Sequence, residues 1–132
     1  MAGALIDTHV LLWMLDGSLP RRSETAARRL ADAVAAHRVF VSIGSFLDMR
    51  YLVDSERLPE DVLREAEEVV QHEAFAVVSF DLAVHHAMRE VTREQVPDPF
   101  DRIIAATALL ADLPLLTADA RIQDALGERA VW

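Results

Sequence analysis

The chain has 132 residues, with 22 acidic side chains against 13 basic ones and a formal charge of −9. That length, with 52% hydrophobic and 27% charged residues, suits one domain with a core of its own and excludes wholesale disorder. There is no cysteine and every basic residue is Arg, which excludes thiol chemistry, disulfides, Cys-bound metals and any mechanism that needs a side-chain ammonium. So acidic a chain is a poor match for a broad basic nucleic-acid face. It is a better match for holding divalent cations or pairing with a basic protein.

In chain order, short apolar runs alternate with longer helical patterns. Strands are expected at Ala4–Ile6, Val39–Ser42, Ala76–Ser79, Leu115–Thr117 and Ala130–Val131. Helices are expected at Ser23–His37, Gly44–Val53, Pro59–Glu73, Asp81–Val91 and Pro99–Ala111, with a short last one at Ala120–Leu126. Within the third helix Val62, Leu63, Ala66, Val69 and Val70 recur at helical spacing opposite a charged face. Pro59 suits a helix start, and Asp98-Pro99 reads as an N-cap with the first helical residue. The alternation predicts an α/β fold over residues 1–132, with a central, mostly parallel sheet and helices on both faces. No linker, repeat or low-complexity tract interrupts it. The first 15 residues are apolar, but Asp7 breaks the run and no leader-like flanks frame it. No segment reads as a membrane span, and a cytoplasmic location is expected.

In open α/β sheets function gathers beyond the carboxyl ends of the strands. Asp7 follows Leu5-Ile6, and Asp119 ends Leu115-Leu116-Thr117-Ala118-Asp119. Asp48 sits in the apolar stretch Ile43-Gly44-Ser45-Phe46-Leu47-Asp48-Met49, and Asp101 in Asp98-Pro99-Phe100-Asp101-Arg102. A parallel sheet would project these four toward one edge, where clustered carboxylates repel unless a cation neutralises them. Oxygen donors of this kind suit Mg²⁺ or Mn²⁺. Each acid also has a plainer role: Asp7 and Asp119 as caps or turn residues, Asp98 and Asp101 as a capping box, Asp48 as a solvent-facing helix residue. Phe46, Leu47, Met49 and Leu52 around Asp48 point to burial instead. Thr8 and Thr117 could orient a carboxylate or a water, or simply form turns. Arg102 could meet a phosphate, offset the acids or serve as a structural ion-pair residue. His85 and His86 are adjacent, so a helix points them about 100° apart and they cannot chelate together. No general-base role is assigned to His9.

These segments resemble the PIN-domain ribonucleases, and especially the VapC-type toxins of toxin–antitoxin pairs. Leu5-Ile6-Asp7-Thr8-His9-Val10-Leu11-Leu12-Trp13 looks like the family's opening strand and first acid, and Val41–Asp48 like the segment of the second. Asp98–Ala106 is close to the segment of the third acid, Leu115–Ala120 to that of the fourth, and Val131-Trp132 to the closing strand. The resemblance implies an Mg²⁺- or Mn²⁺-dependent endoribonuclease that leaves a 5′-phosphate and a 3′-hydroxyl. It makes Asp7 and Asp101 the principal metal ligands, with Asp48 and Asp119 completing the site. It also implies a homodimer held inactive by an antitoxin, and the charge of −9 suits a basic antitoxin segment with an Arg blocking the pocket. RNA binding would come from the metal, scattered Arg residues or a groove shared by the dimer.

One departure is plain: position 48 is Asp where the family usually has Glu. That leaves open a carboxylate acting through water, a weakened site, or a catalytically inert PIN-like dimer that only binds a partner. Other α/β classes fit less well. A phospho-Asp receiver needs a Lys, a haloacid-dehalogenase-like phosphatase needs a second Asp at position 9, and a dinucleotide site needs a glycine-rich loop.

Overall fold

Strands buried on both faces read as unbroken apolar runs, and Ala4-Leu5-Ile6 and Leu115-Leu116 are such runs. A computed structural model, which describes residues 2–132, forms them into β1 (Ala4–Ile6), β2 (Val39–Ser42), β3 (Phe75–Val78), β4 (Leu115–Leu116) and β5 (Ala130–Val131). The five make one sheet in the order β3-β2-β1-β4-β5, and every neighbouring pair is parallel. The helices are α1 (Thr8–Leu15), α2 (Leu19–Arg22), α3 (Glu24–Ala35), α4 (Ile43–Asp54), α5 (Glu60–Val69), α6 (Leu82–Ala87), α7 (Pro99–Ala111) and α8 (Ala120–Leu126).

Alternate strand residues enter two different cores. Ile6, Val39, Val41 and Leu116 pack with Val10, Leu30, Met49 and Leu63 from α1, α3, α4 and α5. Leu5 and Leu115 pack on the other face with Ile104 and Ala108 of α7 and Ile122 of α8. The expected α/β layering therefore holds, and the sheet is wholly parallel. Among the described residues no helix is long and apolar enough to cross a membrane.

Several elements depart from the sequence reading. Helices α1 and α2 were not expected: Val10 to Leu15 is apolar all round and shows no amphipathic period, so only the Asp7 cap marks its start. Strand β3 begins one residue early, because Phe75 pairs in register with Val39 and Val78 with Ser42. Pro59 is the N-cap of α5 rather than its first residue, and α5 stops at Val69. The helix after Asp81 ends at Ala87 and tightens into a 3-10 turn over Met88–Glu90.

Two constraints place the site. The strand order reverses between β1 and β4, which opens a crevice at their carboxyl ends. Beside it α4 and α7 meet at Gly44, where an added Cβ would lie 3.1 Å from Ile103 Cγ2 and 3.2 Å from the Phe100 carbonyl oxygen. Gly44→Ala is expected to lower stability by about 1 kcal/mol, because the overlap outweighs the gain in helix propensity. Urea denaturation of the pair of proteins measures it.

Candidate active site

Four acids cap helices on the carboxyl side of the sheet; Asp81 caps α6, and the charges of the other three act on Asp101. Asp7, only 4% exposed, caps α1 by accepting from the Val10 N–H at 2.9 Å. Asp119 caps α8, accepting from Arg121 and Ile122 at 2.8 and 3.0 Å. Asp98 caps α7, accepting from Phe100 and Asp101 at 2.9 and 3.0 Å. In all three Oδ1 alone makes the capping bonds, so the second oxygen is not committed to the helix. Asp101 stands at the third position of α7, and Asp48 in the second turn of α4. The plain role and the site role thus coincide in Asp7 and Asp119.

The carboxylates form one electrostatic unit. Burial pushes Asp101 up to about 7, helped by the charges of Asp98, Asp119, Asp48 and Asp7 in that order. Burial also raises Asp7, against the lowering influence of the Thr117 hydroxyl, the Val10 N–H and His9, and Asp119 adds to the rise. Asp48 is raised by burial and by Asp98, with Thr8, His9 and Arg57 opposing. The Thr117 hydroxyl accepts from the Asp119 N–H at 3.1 Å. Thr8 leans toward Asp48, yet its buried Oγ1 completes no hydrogen bond. The four acids expected from the sequence are therefore brought to one place.

Arg57 acts on Asp48 through its charge alone, without an ion pair. Among the described residues the ion pairs join Arg50 to Asp54 and Glu60, Arg64 to Asp61, Arg129 to Asp112 and His37 to Glu73. None includes an acid of the cluster. Residues 4–127 match the PIN domain family. The chain belongs to that family. PIN domains are in general metal-dependent nucleases. No curated protein matches the chain.

In this PIN domain the Arg102 guanidinium is engaged by backbone, and among the described residues it makes no ion pair. Its Nε donates to the Val91 carbonyl at 2.6 Å and its Nη2 to the Met88 carbonyl at 2.9 Å. The Met88 carbonyl already accepts from the Val91 N–H at 3.2 Å within the 3-10 turn, and the charged fork from α7 gives it a second bond and meets the Val91 carbonyl as well. Two residues that sequence reasoning passed over belong to the site instead. Asp98 looked fully explained as a cap, and no motif in the sequence singled out Arg121. Both line a cleft of about 300 Å³ with Val96, Pro97, Asp101 and Asp119. The usable signal was spacing: Asp98 precedes Asp101 by three residues at a helix start, and Arg121 follows Asp119 by two.

The donors suit a hard cation: all are carboxylate oxygens, none is in an ion pair among the described residues, and an unpartnered Thr8 hydroxyl adjoins them. Among the described residues no three acids or imidazoles are placed to hold one ion together. Mg²⁺ commonly takes one or two carboxylates and keeps its waters, which this arrangement fits.

An unfolded Asp titrates near about 3.9, and Asp101 in the fold near about 7. Between those values the folded state holds the proton, so stability without metal falls as pH rises through the interval. Asp101 is partly exposed, and water screening limits the effect to about 1–2 kcal/mol. In EDTA, Asp101→Asn should therefore melt about 3–6 °C above the parent at pH 8, with the gap narrower at pH 5 and closing only below about pH 4. Calorimetry at the two pH values checks this.

Proposed function

We propose that this PIN domain is a metal-dependent endoribonuclease and the toxin of a toxin–antitoxin pair. The observation that carries the reading is the uncompensated carboxylate cluster at the switch point of the sheet. Asp7 and Asp101 would hold Mg²⁺ or Mn²⁺ directly, and Asp48 and Asp119 through bound water, since the Asp48 side chain is one methylene shorter than the Glu usual in the family. When bound, the ion supplies a hydroxide near neutral pH and stabilises charge on the phosphoryl group. Arg121, exposed at the mouth of the cleft, is the cation that the chain itself offers to a phosphate of the RNA.

The charge of −9 supports an antitoxin whose basic segment enters the cleft and sets an Arg among the acids. Val77, Phe80 and Leu82 are exposed along the edge strand β3 and the start of α6, an apolar surface suited to a second copy of the chain. A second reading, an inert PIN-like dimer that only binds a partner, draws on the absence of three groups placed around one ion and on Asp at position 48.

The test is cleavage of labelled structured RNAs with Mg²⁺, with Mn²⁺ and with EDTA. Discrete products that require metal, and that fall at least about 100-fold in Asp7→Asn and Asp101→Asn, are the expected result. Asp48→Glu should preserve or raise the rate. A folded dimer that cleaves no RNA under any of these conditions decides for the inert module. In the active protein, Arg121→Ala should raise KM about 5-fold or more by removing a phosphate contact.

A further inference from the structure

Three aromatic rings and a guanidinium stand beside the acidic cluster without belonging to it. His9 and Trp13, four residues apart on one face of α1, have ring centroids 5.6 Å apart at 40°. Trp132 lies 5.6 Å from Trp13 at 46°. The Arg22 guanidinium carbon sits 4.3 Å from the Trp13 ring centroid, and its Nε donates to Ser18 Oγ at 3.0 Å. Among the described residues no acid forms an ion pair with Arg22.

The row leads to the acids. His9 is near enough to Asp7 and Asp48 for its charge to act on both. The Thr117 N–H donates to the Val131 carbonyl at 3.1 Å, so Trp132 leaves the sheet at the edge where Asp7 and Asp119 stand. Core packing accounts for only part of these side chains: His9 and Arg22 are exposed and both tryptophans are half-buried. Beside Trp13, Met14, Gly17, Leu19 and Pro20 help to line an apolar hollow of about 260 Å³.

We propose that His9, Trp13, Trp132 and Arg22 form a stacking platform for an unpaired base of single-stranded RNA, next to the phosphate presented to the acidic cluster. Stacking is available to every base and does not depend on attraction to phosphate, so it supplies affinity where a cluster of carboxylates works against it. A base already paired in a duplex has no free face, so the platform selects unpaired segments. The position of the scissile phosphate rests on the nuclease reading above, whereas binding at the platform does not.

Both tryptophans of the chain lie in the platform, so intrinsic fluorescence reports on it directly. The experiment titrates full-length Asp101→Asn protein in EDTA with a short unstructured oligoribonucleotide, and with the same sequence annealed to its complement. Saturable quenching by the single strand, at least about 5-fold weaker for the duplex and about 5- to 20-fold weaker in added His9→Ala or Trp132→Ala, is the expected result. Trp132→Phe should bind within about 3-fold of the parent. His9 is exposed, so its variant keeps the test valid if Trp132→Ala fails to fold. Quenching with no cleavage of any RNA by the unmodified protein leaves the platform standing and removes the nuclease reading. Cleavage without quenching, or binding indifferent to His9 and to strandedness, overturns the platform and leaves the nuclease reading intact.

Discussion

In an all-parallel sheet every strand delivers the chain to the same edge, and the helices that carry it back begin there. The first turns of those helices present backbone N–H groups with no partner inside the helix, and this chain meets them with Asp at positions 7, 98 and 119. One geometric necessity thereby gathers acids from distant parts of the sequence. Each helix start carries roughly half a positive charge, which makes one carboxylate tolerable there. Five stand here, and Asp101, raised to about 7 by burial first and by the charges of the other four after it, registers both. The acidic edge follows from the topology, and on the proposed reading a cation is what balances it.

Asp48 enters by a different route. It caps nothing, and it reaches the edge because α4 runs against α7 closely enough for Gly44 to leave no room for a methyl group. Side-chain length therefore matters more at position 48 than at the caps, whose backbone already stands at the crevice. Thr8 and Thr117 sit between these groups, one beside Asp48 and the other between Asp7 and Asp119, and their hydroxyls temper the repulsion at its two ends.

The layering was legible because each strand is apolar on both faces and each long helix has a wet side. Helix α1 was not, since a helix apolar all round carries no period, and the 3-10 turn at Met88–Glu90 lies below what spacing can resolve. At the site, Asp7, Asp48, Asp101 and Asp119 could be read from their places after strands or inside an apolar stretch. Asp98 could not, because its capping role is complete in itself and only proximity shows the second one. Arg102 misled for the opposite reason: adjacency to Asp101 in sequence puts it about 100° around the helix, where its partners are carbonyls. The pairing of Trp13 with Trp132 joins the two ends of the chain, and no local pattern announces it.

The placement of Arg completes the argument. Arg50, Arg64 and Arg129 are engaged with surface acids, and Arg102 with backbone. Arg22 lies over Trp13, and Arg121 lines the acidic cleft without forming an ion pair among the described residues. A guanidinium inside the cluster would neutralise it as a cation does, without bringing water to the reaction, and the same fold would then be silent. The chain keeps its own Arg residues out of that position. On the proposed reading, an antitoxin that inserts one from outside uses the very repulsion that draws the metal, so affinity for the inhibitor and affinity for the cofactor rise and fall together.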